Sequence, residues 1–125
     1  LKTKDAVSAI KSTATVNRSY PVVVLQNENS ASGSEVLAGA LKEIYKATII
    51  GTNSYGKSSV QQTSDLGDGT MIKYTVQKWL TSLGNDVGKI GLEPTIKVEQ
   101  AETYYTNPTD ENDTQLQSAL STLSK

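Results

Sequence analysis

Two short apolar runs rich in β-branched residues, Val22-Val23-Val24-Leu25 and Ala47-Thr48-Ile49-Ile50, flank an amphipathic stretch, and that spacing leaves little freedom of fold. Apolar residues in succession, without alternation, are the pattern of a strand covered on both faces, as in parallel sheets. From Ser34 onward Val36, Leu37, Ala40, Leu41 and Ile44 recur at helical spacing, with Lys42, Glu43 and Lys46 on the other side. This predicts a helix of about three turns. Strand, helix and strand over Val22–Ile50 make one βαβ unit with an expected right-handed crossover, so the chain is assigned to the α/β class.

The remaining segments add a hairpin and a closing helix. Val60–Thr63 reads as a short strand, Leu66-Gly67-Asp68-Gly69 as a turn, and Met71–Leu80 as the returning strand. Glu93-Pro94 leads into Thr95–Glu99, expected at a sheet edge because Pro94 has no N–H to donate. Residues 101–113 read as a connecting segment and 114–124 as a terminal helix capped by Asp113 or Thr114. Upstream, a strand is expected around residues 6–12 and a turn at Asn17–Ser19. The 125 residues suit one domain.

Two absences narrow the chemistry. The chain has no cysteine and no histidine. Thiolate nucleophiles, disulfides and thiolate metal sites are excluded, and so is a Ser-His-Asp triad; a metal would find only carboxylates, and no metal or cofactor is expected. A base on this chain must be Lys, Asp, Glu or Tyr. The net charge of −1, without a basic run, gives no footprint for nucleic acid. The longest apolar run, Val22–Leu25, is far short of the ~20 residues that cross a bilayer, so no membrane span is expected.

Ser32 and Glu35 fit the S-x-x-E capping box, in which the serine hydroxyl serves a backbone donor. A serine at a helix start after a buried strand is also where a nucleophile profits from the helix N-terminus, and Gly33 leaves its N–H open to an oxyanion. Gly51–Ser58 reads G-x-x-x-x-G-K-S after a buried strand, which fits a phosphate-binding loop. That motif must open a helix, and Ser58–Thr63 is made of poor helix formers. Lys57 reads either as a solvated loop residue or as a general base, which must be unprotonated; Ser-Lys pairs are a known variant of the serine triad. Gln61, four residues on, reads either as an exposed strand residue or as an acceptor that orients the lysine without adding charge.

Taken together, NENSASGSEVLAGAL, IIGTNSYGKSSVQQ, LGDGTMIKYTVQKWLT, GLEPTIKVE and DTQLQSAL resemble, in order and spacing, the catalytic core of the carboxyl-terminal processing peptidases, or tail-specific proteases. The resemblance runs from Tyr20 to Leu123 and is best over residues 20–100; its most specific parts are SASGSE and YGKSSVQ. It implies a serine endopeptidase on a crotonase-like (ClpP/crotonase-type) core, acting through an acyl-enzyme, outside the cytoplasm, on disordered carboxyl-terminal tails. Carried over, Ser32 is the nucleophile, Lys57 its base, Gln61 the orienting partner and Gly33 an oxyanion donor. Residues 1–125 then form part of the core, resembling its second half, without the family's PDZ domain or upstream Gly-Gly segment; a homodimer that completes the core is one expectation. Ser58 and Thr95 stand where the family often has Gly and Asp. The alternatives are a non-catalytic binding or assembly module of the same fold, and a nucleotide binder using Gly51–Ser58.

Overall fold

The computed structural model describes residues 1–16 and 18–124. The expected βαβ unit is present. Strand β1 (Val23–Gln26) lies parallel to β2 (Thr48–Gly51), with Val24 opposite Ile49 and Gln26 opposite Gly51. β5 (Ile96–Lys97) adds in parallel on the far side of β2, giving the order β1-β2-β5 and placing β5 at an edge, as Pro94 requires. Ile49 and Ile50 point to opposite faces of β2, yet both are fully buried, so β2 is covered on both sides; the same expectation fails for β1, where Leu25 is 42% exposed because that strand lies at the other edge of the sheet. Each such burial is worth about 1.5–3 kcal/mol.

One cover is α3 (Thr114–Leu123), which packs on β1 and β2. Asp113 is its cap, accepting from the Leu116 N–H at 2.8 Å, and the Gln115 amide donates to the Val98 carbonyl at 2.9 Å. The other cover is a cluster of Ala38, Ile49, Trp79, Val87 and Leu92. Ala38 comes from α1 (Gly33–Ala40), which continues as a π-helical turn over Leu41–Tyr45 and stops where Lys46 turns left-handed at φ 63°.

Helix α1 buries the side opposite to the one its apolar spacing marks. Glu35, Ala38 and Gly39 face inward, while Val36, Leu37 and Ile44 are 47, 62 and 66% exposed. Small residues explain the choice: Ala38 and Gly39 let the helix backbone come close, and Gly39 rests on the Thr81 side chain.

β3 (Ser59–Asp65) and β4 (Met71–Lys78) form the expected antiparallel hairpin, longer on the β3 side than its sequence suggests, with a bulge between Val60 and Gln61. Its tip is held by the Asp65 carboxylate on the Gly67 N–H and by the Asp68 carboxylate on the Thr70 N–H. Residues 6–12 form no strand. Val7 makes one bridge to Lys2, which pairs in turn with Lys78, and strand-favouring residues without a partner strand stay irregular. The connecting segment 101–113 contains a short helix, α2 (Glu102–Thr106). Of the turn expected at Asn17–Ser19, Asn17 lies outside the described residues.

Candidate active site

β1 and β2 end side by side at Gln26 and Gly51, and the loops that leave them converge above the carboxyl end of the sheet. Gln26 links them: its buried amide donates to the Thr52 carbonyl at 2.9 Å and to the Leu92 carbonyl at 2.6 Å. The Tyr55 N–H donates to the Ser30 carbonyl at 2.9 Å, which fastens the second loop onto the first.

Ser32 sits at the mouth of α1 with φ 56° and ψ −113°, a conformation that disfavours any residue with a Cβ. Its side chain is exposed and makes no capping bond to the helix. On the serine side of the capping box the Glu35 N–H goes to the Ser32 carbonyl at 3.0 Å, and the hydroxyl lies at the positive end of the helix beside the first helical residue, Gly33.

The other half of the box does more than cap. Glu35 is completely buried in the first turn of α1. Its Oε2 accepts the Ser32 N–H at 2.8 Å and the Lys57 N–H at 2.9 Å. Its Oε1 accepts the Gly56 N–H at 2.7 Å and the Ser54 hydroxyl. Burial alone would raise the carboxyl's pKa, but the bonds from Ser54, Lys57, Gly56 and Ser32 outweigh it and hold it below its ordinary value. One carboxylate oxygen thus joins the backbone of Ser32 to that of Lys57. Ser54 extends the network, since its hydroxyl also accepts the Leu92 N–H at 2.6 Å.

This arrangement overturns the phosphate-loop reading. Within Gly51–Ser58 the Gly56 and Lys57 N–H groups do converge on an anion, but that anion is Glu35 of the same chain. The residues that follow enter strand β3 rather than a helix, so there is no helix N-terminus to hold a phosphate. The motif match detected an anion nest and mistook its occupant. Sequence reasoning missed Glu35 for the same reason: a glutamate three residues after a serine is explained by capping, and nothing local shows that a loop 20 residues away will donate to it.

Lys57 is half-buried just ahead of β3, and Gln61 is exposed on β3 opposite Thr75, next to the bulge. The structure joins the backbones of Ser32 and Lys57 through Glu35, with Gly33 next to Ser32 in the chain and Gln61 on β3. Among the described residues no group of acidic side chains is arranged to hold a metal ion, and no helix is long and apolar enough to cross a membrane.

The sequence profile of peptidase family S41 matches residues 2–98. The carboxy-terminal processing protease CtpB of Bacillus subtilis (strain 168) is 47% identical over 97 residues, 78% of this chain and 20% of its own length. The carboxyl-terminal-processing protease of Synechocystis sp. is 41% identical over 103 residues, 82% of this chain and 24% of its own. Among solved structures, the photosystem II D1 C-terminal processing protease superposes with a TM-score of 0.60 at 43% identity, over 63% of this chain and 20% of that one. The tricorn protease superposes with a TM-score of 0.64 over 82% of this chain and 10% of its own, at 22% identity, a likeness of fold. This chain therefore spans between a fifth and a quarter of the length of these two curated relatives.

Proposed function

The chain belongs to peptidase family S41, the serine-type family of the carboxyl-terminal processing proteases, and from that premise we propose that it carries a Ser-Lys dyad made of Ser32 and Lys57. The observation that supports this reading most is the single Glu35 oxygen on which the amides of both residues meet. A buried carboxylate that fixes a strained serine against a loop lysine is an expensive arrangement for a cap alone.

In the proposed reaction the Ser32 hydroxyl attacks the carbonyl carbon of a peptide bond as its proton passes to the Lys57 amine. The oxyanion of the tetrahedral intermediate accepts the Gly33 N–H at the start of α1. Lys57 returns the proton to the departing amine, leaving an acyl-enzyme on Ser32. Water, deprotonated by Lys57, then releases the new carboxyl terminus. Gln61 orients the lysine through its amide oxygen, a neutral acceptor that does not favour the charged form of the base.

We read residues 1–125 as part of a crotonase-like peptidase core, with 20–100 its best-matched portion, 101–113 the link and 114–124 the closing helix. The substrate is the disordered carboxyl-terminal tail of a polypeptide, met outside the cytoplasm. A second copy completing the core is part of the reading, and a strictly monomeric active species in sedimentation removes it. The test is cleavage of an unstructured polypeptide with an apolar carboxyl terminus, read by mass spectrometry from pH 6 to 10. Cleavage that rises with pH and is lost in Ser32→Ala and Lys57→Ala supports the dyad. Equal cleavage in Ser32→Ala refutes it; where no form cleaves, the same test passes to a chain extended upstream of Leu1, and silence there favours a non-catalytic module.

A further inference from the structure

Trp79 follows the last residue of β4 and stands in the middle of the core, 7% exposed, packed with Ala38, Ile49, Val87 and Leu92. Aliphatic neighbours ask only for an apolar side chain of suitable size. Packing therefore accounts for an aromatic residue at this position but not for an indole, whose N–H needs an acceptor once buried. The indole N–H donates to the carbonyl oxygen of Lys57 at 2.9 Å, and the Trp79 backbone N–H donates to the carbonyl of Ser58, also at 2.9 Å. The Lys57 N–H is already committed to Glu35. The peptide groups on both sides of Lys57 are thus fixed, one by a carboxylate and the other by the indole.

We infer that Trp79 is a positioning residue for the peptidase reaction: its indole N–H, bonded to the Lys57 carbonyl, sets the direction in which the lysine side chain leaves the backbone. The inference rests on the reading of Lys57 as the base. Lysine makes the direction matter because its amine sits at the end of a long lever. A backbone rotation of roughly 10° swings the end of an extended lysine by about 1 Å, and a misplacement of that size costs on the order of 10²-fold in rate. With one peptide group released, that rotation is free to occur. Removing that N–H leaves the apolar packing of the ring as it is and takes from the Lys57 carbonyl its donor.

The experiment replaces Trp79 in the full chain by phenylalanine and, as an isosteric control that deletes only the N–H, by 3-benzothienylalanine. Ile49→Val serves as a core variant that leaves the Lys57 carbonyl alone. Three quantities are measured: kcat and KM on an unstructured polypeptide, thermal unfolding, and the rate at which an amine-selective acylating reagent labels Lys57, read by mass spectrometry. In both Trp79 replacements kcat is expected to fall about 10- to 100-fold with KM within about twofold, and Lys57 labelling to change. Ile49→Val should lose stability yet keep the labelling rate and kcat. Unchanged Lys57 labelling in a folded benzothienylalanine form overturns the inference, whatever happens to cleavage. Undiminished cleavage by Lys57→Ala would instead overturn the base reading, and the labelling comparison then decides alone whether Trp79 orients Lys57.

Discussion

Replacing Glu35 by glutamine keeps the shape of the side chain and removes its charge. Four donors converge on this carboxylate, two on each oxygen. An amide can serve the pair on one oxygen, but its NH2 then faces the other pair, donor against donor. Bonds to a charged acceptor are worth about 1.5–3 kcal/mol each, and their losses overlap, so a destabilisation of about 3 kcal/mol is expected. In a chain of this size that lowers Tm by about 10 °C or more. If the amide turns its NH2 toward Oε2's donors, Ser32 and Lys57 separate, and kcat falls on the order of 10²-fold with little change in KM. The pH dependence adds a second test. The folded carboxyl's pKa lies below its ordinary value, so its contribution is fully present above the unfolded pKa of about 4.3 and is lost as pH falls through the folded value. Urea melts of both forms from pH 7 to pH 3 should show a stability gap that is constant near neutrality and narrows in acid. A gap under about 0.5 kcal/mol at pH 7, or one that does not change with pH, refutes the role given to Glu35.

Ser32→Gly should raise stability by up to about 1 kcal/mol, because glycine accepts the φ 56° backbone at no steric cost, while it abolishes cleavage; a destabilised variant in chemical denaturation contradicts the strain. Gly56→Ala meets both a φ of 86° and a Cβ only 2.8 Å from the Gly91 nitrogen, and should cost about 2 kcal/mol or more together with activity, checked by urea melts and cleavage. Asp86, bonded to Lys78 at 2.8 Å, has its pKa lowered to about 2, chiefly by that partner. Its side chain is 38% exposed, so solvent screening limits Asp86→Asn to about 0.5 kcal/mol at pH 7; the wild-type advantage is lost as pH falls from about 3.9 through the folded value.

The parallel strands and the hairpin were legible because each depends on local pattern. Ala47–Ile50 is too apolar to lie anywhere but between two layers, Val22–Leu25 takes its place by pairing with it although Leu25 stays exposed, and Gly67 and Gly69 supply the left-handed residues of the turn at the hairpin tip. The orientation of α1 was not legible: Val36, Leu37 and Ile44 mark a stripe, but the inward side is set by distant partners, the Gly56 and Lys57 amides for Glu35, the Trp79 cluster for Ala38 and Thr81 for Gly39. The strand expected at residues 6–12 had only Val7 and Ile10 to favour it and no partner strand. Ser32, Gly33, Lys57 and Gln61 were proposed for the site because their spacings resemble a known family. Glu35 and Trp79 were hidden, since each also satisfies an ordinary local role, capping in one case and core packing in the other. Their bonds to Lys57 span 22 residues each, and no window of sequence displays such a distance.

Everything proposed for the site depends on Ser32 being a nucleophile activated by Lys57. The most direct test of this is covalent labelling of the full chain with a serine-reactive fluorophosphonate, with the modified residue located by mass spectrometry. A single adduct on Ser32 is expected, formed at least about 10²-fold more slowly in Lys57→Ala although the serine is intact. An adduct elsewhere, none at all, or one that forms on Ser32 as fast without Lys57 would contradict it.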